Sequence, residues 1–137
     1  MTSDAPINKR ALPAVRDALR LLGEHVEQES GGEIHGFGEV DASLDALASS
    51  LTQLFPWAGV PGVATLRLDE VLRELAAGGW VDENVVALTR RLLADVRRTR
   101  YFRHTKQDIF DLEGARRGLH QHLTMLLTRA ERSAEGV

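Results

Sequence analysis

Apolar side chains recur every three or four positions across residues 83–99, which is the period of an α-helix. The apolar set on one face is Val85, Leu88, Leu92 and Val96. The set on the opposite face is two arginine pairs, Arg90 with Arg91 and Arg97 with Arg98. Beyond Thr99 the pattern fails, because Arg100 and Arg103 would point into the apolar face. The helix is therefore expected to end or bend near Thr99.

The same period occurs in four other segments, and no segment alternates apolar and polar residues as a half-buried β-strand does. The pattern predicts an all-α fold, a single-domain bundle of about five helices that spans residues 1–137. The predicted helices cover approximately residues 12–29, 42–55, 66–77, 83–99 and 109–132. Residues 1–10 and 133–137 are predicted to be flexible tails.

The composition disfavours several classes of protein. The chain has no cysteine, so it can form neither a disulfide framework nor a thiolate metal site. The first ten residues lack the apolar stretch of a signal peptide, and no apolar run approaches the ~20 residues that span a bilayer. We therefore expect no membrane association and a cytoplasmic location. Arginine outnumbers lysine by 15 to 2, a bias that suggests a bacterial protein from a GC-rich genome.

Charge is distributed unevenly along the chain. Residues 1–80 carry 6 basic and 12 acidic side chains, a net charge of −6. Residues 81–137 carry 11 basic and 8 acidic side chains, a net charge of +3. Residues 90–106 alone carry 7 basic side chains and 1 acidic one. Such asymmetry predicts either that the two halves neutralise each other within one domain, or that charge takes part in binding a partner or a second copy.

The arginine-rich segment has three interpretations. It can be a solvated helix face, the commonest role of such a run. It can pair with the acidic surface of the first three helices, in the same chain or in a second copy. It can also bind nucleic acid, because Tyr101 and Phe102 lie between Arg100 and Arg103 and aromatic rings stack on bases. The overall charge of −3 disfavours nucleic-acid binding, since acidic surfaces repel a polyanion.

Within RRTRYFRHTK, the spacing from Arg98 to His104 resembles the Arg-x(4–6)-His motif of the HEPN-type helical ribonucleases. Two further pairs share the spacing: Arg117 with His122, and Arg20 with His25. In that family the arginine and histidine lie near a helix end and cleave RNA, usually across a dimer interface. The resemblance therefore implies a helical fold and, as an alternative function, ribonuclease activity.

Residues 55–64, FPWAGVPGVA, are unusually apolar for a connection that contains two prolines and two glycines. One interpretation is that Trp57 and the nearby valines cover the end of the core. The other is that Trp57 is an exposed anchor for another protein, since tryptophan is enriched among the residues that dominate binding energy. The sequence leaves both open.

No pattern predicts a catalytic or metal site. The five histidines lack the Glu-x-x-His spacing of di-iron bundles, and His120 and His122 lie ~200° apart around a helix. The chain has no Gly-x-Ser-x-Gly elbow and no phosphate-binding loop. We therefore expect no metal, no cofactor and no catalytic residue, and we favour a protein that is not an enzyme.

The sequence as a whole predicts a small helical binding module that acts through protein–protein interaction or self-association. The alternative is a nucleic-acid-binding protein that uses residues 97–106. A HEPN-like ribonuclease is the more specific form of this alternative. The expected partner is another protein or a second copy of the chain. The residues predicted to contact it are Trp57, Arg90, Arg91, Arg97, Arg98, Arg100, Tyr101, Phe102, Arg103, His104 and Lys106.

Overall fold

Helices make up almost all of the regular structure in the described part of the chain, as a computed structural model shows. The structure describes residues 7–23, 27–28, 34–35, 37–59, 66–101 and 106–135. Within these ranges, the side chains of residues 27–28, 34–35, 37–39, 98–101 and 106 are not described.

Five α-helices follow one another in the described ranges: α1 (Leu12–Leu22), α2 (Phe37–Leu54), α3 (Leu68–Ala77), α4 (Glu83–Tyr101) and α5 (Lys106–Glu135). Two short 3₁₀ turns cover Lys9–Ala11 and Pro56–Ala58. Two strands of two residues, β1 (Glu27–Gln28) and β2 (Ile34–His35), pair antiparallel between α1 and α2. The predicted all-α class is confirmed. None of the described helices is both long and apolar enough to cross a membrane.

The helices pack in the order of the sequence, and the last one closes the ring. Each of α1 to α4 packs against the next helix, and α5 packs against both α4 and α1. Arg16 in the first half of α1 pairs with Glu131 near the end of α5, at 2.6 Å. At the other end of α1, the carbonyl of Leu22 accepts a hydrogen bond from Arg116. α5 is therefore antiparallel to α1 and covers the gap between α1 and α4.

The core is built from the apolar faces that the sequence predicts. On α5, the apolar residues that recur at helical spacing are all buried: Leu112, Ala115, Leu119, Leu123, Leu126, Leu127 and Ala130. On α4, the buried residues of the predicted face are Val85, Leu92 and Val96. Leu88 is half-buried and packs against α5 at Gly118, where an added Cβ would lie 3.3 Å from the Leu88 Cδ2. A glycine at this position lets α4 and α5 approach closely.

The first helix is shorter than predicted, because α1 ends at Leu22 rather than at residue 29. The apolar pattern continues to Val26, but Gly23 is a weak helix former and the chain turns there. The Arg116 guanidinium donates to the Leu22 carbonyl at 2.7 Å and satisfies one of the groups that a helix end leaves without a partner. This contact joins residues far apart in the sequence, so periodicity alone could not reveal it.

The other helix boundaries differ from the prediction by a few residues. The boundaries that differ most are Phe37 for the start of α2, Leu68 for the start of α3, Tyr101 for the end of α4, and Lys106 and Glu135 for α5. Most of these helices extend beyond their apolar faces, because polar residues also sustain a helix. In the first turn of α5, for example, Gln107 donates to Asp111 one turn later, at 2.9 Å. The residues predicted as a C-terminal tail thus remain helical to Glu135.

A glycine pair, Gly78 and Gly79, ends α3. Gly79 has a φ of +80°, a conformation that residues with side chains rarely adopt. The Trp80 N–H donates to the carbonyl of Leu75 at 2.9 Å, the Schellman arrangement that ends helices. Asp82 then caps α4 by accepting a hydrogen bond from the Asn84 N–H at 2.8 Å. These two caps fix the position of Trp80 at the junction of α3 and α4.

Candidate functional site

Arg90, on the exposed basic face of α4, contacts a buried carboxylate on α3. Asp69 is 3% exposed, and its Oδ2 lies 2.8 Å from the Arg67 Nη2 and 3.4 Å from the Arg90 Nε. The hydrogen bond from Arg67 is the main influence that lowers the pKa of Asp69; burial opposes it, and Arg90 lowers the pKa further. The predicted pairing of the arginines with the acidic first three helices therefore occurs at Arg90.

The other described arginines of this face do not form ion pairs with another helix in the described ranges. Arg91 lies 3.9 Å from Asp95, one turn along α4; the arginine side chain is 62% exposed, whereas the aspartate side chain is 15% exposed. Arg97 is exposed and makes no ion pair with any residue in the described ranges. The basic face of α4 therefore combines one cross-helix contact with arginines that remain accessible to solvent.

Several residues predicted to contact a partner lie outside the described part of the chain. They are the side chains of Arg98, Arg100, Tyr101 and Lys106, and the whole of Phe102, Arg103 and His104. Stacking of the two aromatic rings on bases stays a prediction. The same holds for a catalytic pairing of Arg98 with His104.

The two histidines whose side chains are described, His120 and His122, both lie on α5. His122 is exposed, as is Arg117, but five positions along a helix correspond to ~140° of rotation, so these two side chains point in different directions. His120 is half-buried beside Gly23, where an added Cβ would lie 3.3 Å from the imidazole Nε2. Across the described residues, no three histidine, aspartate or glutamate side chains are grouped so that they could hold a metal ion. The helix therefore does not bring His122 to Arg117, the arginine that its spacing suggested.

Trp57 is half-buried in an aromatic cluster at one end of the core. Its ring meets Phe55 edge-on, with the centroids 5.9 Å apart, and Phe55 lies 4.9 Å from the ring of Trp80. Gly78 leaves room for the indole, because an added Cβ would lie 2.7 Å from the Trp57 Cη2. This packing agrees with the interpretation that Trp57 covers the end of the core. A role for its exposed part in docking stays a prediction.

A groove runs between the start of α4 and the C-terminal half of α5. Its volume is about 690 Å³, which is within the range of ligand-binding clefts. Its apolar lining consists of Trp80, Val81, Val85, Met125 and Leu126. Met125 stands at the edge of the groove and is 64% exposed. Methionine is flexible and polarisable, so an exposed one beside a tryptophan is an adaptable contact for another apolar surface.

The charged residues of the groove are mainly basic. They are Asp82, Arg129 and Arg132. The Arg129 guanidinium donates to the carbonyl of Gly79 at 2.8 Å and lies over the Trp80 ring, 4.6 Å from its centroid. These contacts orient Arg129 without neutralising its charge. Asp82 already serves as the cap of α4, and Arg132 has no ion-pair partner in the described ranges, so the groove has a positive rim.

The sequence alone does not reveal the groove, because its walls come from distant parts of the chain. Trp80 and Met125 become neighbours only when α5 packs antiparallel against α4. One local signal was available. Met125 lies off the predicted apolar face of α5, as does Phe110, and these two residues are 64% and 69% exposed. Single exposed apolar side chains are common on protein surfaces, but Met125 adjoins the apolar lining of the groove, whereas Phe110 does not.

No family model matches the chain, and no curated protein or solved structure is significantly similar to it. The basic face of α4 and the groove are therefore the features of the described residues that point to a function.

Proposed function

We propose that this protein is a non-enzymatic binding module that recognises another polypeptide through the groove between α4 and α5. The observation that carries the proposal is the exposure of Met125 at the edge of a largely apolar groove with a positive rim. Apolar surface of this kind is unfavourable in water and marks interaction sites on small proteins. Methionine and arginine are also enriched at protein interfaces. A binding module is also the class of function that the sequence predicts. The sequence does not predict the groove as its contact surface.

The floor of the groove is preformed. Trp80 is held by the turn after α3 and by Arg129, while Val85 and Leu126 belong to the buried core. A partner would therefore meet fixed apolar side chains, with Met125 as the adjustable edge. A preformed site binds more tightly, because fewer groups have to be ordered when the complex forms.

Site-specific photo-crosslinking tests the proposal. A benzophenone amino acid replaces Met125 in the full chain, which is expressed in its native cells and irradiated. We expect a covalent adduct with a protein, since residue 125 lies at the edge of the groove. The adduct is identified by its mass and by peptide sequencing. An adduct of twice the mass of the chain would indicate self-association, which is the second form of the same proposal.

The matched control places the same amino acid at Phe110, which is equally exposed on α5 but lies outside the groove. Crosslinking at residue 110 should be much weaker than at residue 125. Equal yields at the two positions, or RNA as the only crosslinked species, would contradict recognition of a polypeptide by the groove.

Nucleic-acid binding is the second candidate function, and the exposed Arg97 favours it. The test is retention on heparin and on single-stranded RNA as the salt concentration rises. If the basic segment binds phosphates, replacing Arg97, Arg98, Arg100 and Arg103 by glutamate should abolish the salt-dependent retention, because each phosphate contact releases counterions.

A control for this experiment reverses the same number of charges elsewhere. The exposed arginines suited to it are Arg10, Arg20, Arg73 and Arg117. Loss of retention in both variants would mean that only the net charge matters and would remove support for a defined RNA surface. RNA cleavage that disappears in His104→Ala would instead show an enzyme and would overturn the non-enzymatic proposal.

A further inference from the structure

We infer that the groove between α4 and α5 receives an acidic amphipathic helix of a partner protein. The inference rests on the proposed function and deepens it by naming the chemistry of the partner.

The charge of the groove determines which sign of charge the partner segment must carry. Arg129 and Arg132 line it, and Asp82, its one acidic lining residue, already accepts the hydrogen bond that caps α4. A basic segment would bring like charges together as the groove closed over it, which is costly at an interface. A segment that carries carboxylates would instead complement both guanidinium groups. The carboxylates could form two hydrogen bonds with Arg132, the usual geometry of this pair.

The apolar floor sets the second requirement. Trp80, Val85 and Leu126 form the buried floor of the groove, each at most 9% exposed, and Met125 supplies exposed apolar surface at the rim. The partner must therefore present apolar side chains in the middle and carboxylates at the edge. An amphipathic helix does this with one face, since its side chains three and four positions apart lie together.

The spacing along α5 matches such a helix. Met125, Arg129 and Arg132 are four and three positions apart, so they form one row about two turns, or ~10 Å, long. A helix lying beside this row would place an apolar residue against Met125 and acidic residues one and two turns further along. The row would thus contact an apolar side chain at one end of the partner helix and acidic side chains further along it.

Two synthetic helices test the inference. Each has about 18 residues, five helical turns, with a leucine stripe on one face; the polar positions are glutamate in one peptide and lysine in the other. Each is titrated into the ¹⁵N-labelled full chain. We expect the glutamate peptide to shift the amide signals of Trp80, Val85 and Met125 and to bind roughly tenfold more tightly than the lysine peptide. Equal affinities, or shifts confined to other surfaces, would overturn the inference.

Two pairs of exposed variants sharpen this result. Arg132→Glu should weaken the glutamate peptide by roughly tenfold and strengthen the lysine peptide, whereas Arg97→Glu on α4 should change neither. Met125→Asp should weaken the glutamate peptide, whereas Phe110→Asp outside the groove should not. Circular dichroism of all four variants establishes that the fold is retained. If Arg132→Glu and Arg97→Glu changed the peptide affinities equally, long-range electrostatic attraction, not contact in the groove, would determine binding.

The outcomes separate this inference from the proposed function. A protein crosslinked at residue 125, together with no binding of the glutamate peptide, would overturn the acidic helix but keep the binding module. Laurate, a fatty acid with an apolar chain and one carboxylate, is titrated in the same way. If laurate binds and the glutamate peptide does not, the groove is a small-molecule site and the inference is overturned. Concentration-dependent self-association that Met125→Asp abolishes would identify a second copy as the occupant and would also overturn it.

Discussion

A single buried carboxylate, Asp69, joins the start of α3 to the middle of α4. The two arginines that bind it, Arg67 and Arg90, are themselves mostly exposed, at 69% and 56% of their side chains. Only the acidic partner therefore loses its hydration, and its negative charge is met by two cations. Such an arrangement should stabilise the α3–α4 contact, whereas removal of the carboxylate should loosen it.

We predict that Asp69→Asn lowers the free energy of unfolding by about 2 kcal/mol at neutral pH, because the hydrogen bonds to a charged group are weakened. The pKa of Asp69 in the folded protein lies below its ordinary value. Its stabilising contribution is therefore complete above the unfolded-state pKa and is lost as the pH falls through the folded-state pKa. Urea unfolding at pH 7 and at about pH 3 should show the difference between the two proteins shrinking in acid.

The control for this prediction is Asp45→Asn, since Asp45 is an exposed aspartate on α2. It should change the unfolding free energy by less than about 0.5 kcal/mol. If Asp69→Asn behaved like this control at neutral pH, the ion pairs at Asp69 would have no structural role.

The helices themselves were predictable from the sequence, whereas several of their ends were not. The apolar faces repeat locally, so α3, α4 and α5 emerge from spacing alone, and the glycine pair after α3 marks its end. The end of α1 depends on Arg116, a 3% exposed arginine that bonds Leu22 and Glu113. The helical period places Arg116 among the apolar residues of α5, four positions after Leu112, but nothing near it in the sequence names the Leu22 carbonyl as its partner. Contacts between distant residues, not local preference, decide such positions.

Two glycines of α5 make a comparison at the level of the helix. Gly114 is exposed, and an added Cβ would meet nothing within 4 Å. We predict that Gly114→Ala raises the unfolding free energy by about 0.5 to 1 kcal/mol, because alanine restricts the unfolded chain and favours the helix. Thermal unfolding followed by circular dichroism measures the change.

Gly118→Ala is the matched variant, since the added Cβ would lie 3.3 Å from the Leu88 Cδ2 on α4. The same helix-forming gain is offset there by displacement of Leu88. We therefore expect Gly118→Ala to be less stable than Gly114→Ala. The reverse order would mean that α4 and α5 do not pack closely at this point.

In the whole molecule, the uneven charge of the sequence is partly neutralised between the two halves of the chain. The pair of Asp69 with Arg90 does this, because it joins an acid of the acidic half to a base of the basic half. The pair of Arg16 with Glu131 also joins the two halves, but with the opposite polarity. Arg97 and Arg132 make no ion pair within the described ranges, and they lie on the basic face of α4 and at the groove. The sequence could predict the excess of charge but not its position, because the groove exists only once α5 lies against α4.

The sequential packing of the helices, with α5 against α1, also fixes where the described ends of the bundle lie. Arg16 contacts Glu131, so the polypeptide enters and leaves on the same side. A short linker could therefore join the two ends, and the backbone could be cut instead in the exposed turn at Gly78 and Gly79. Such a circular permutant would keep every helix neighbour while changing the order of synthesis. Its refolding would show whether the architecture depends on chain connectivity.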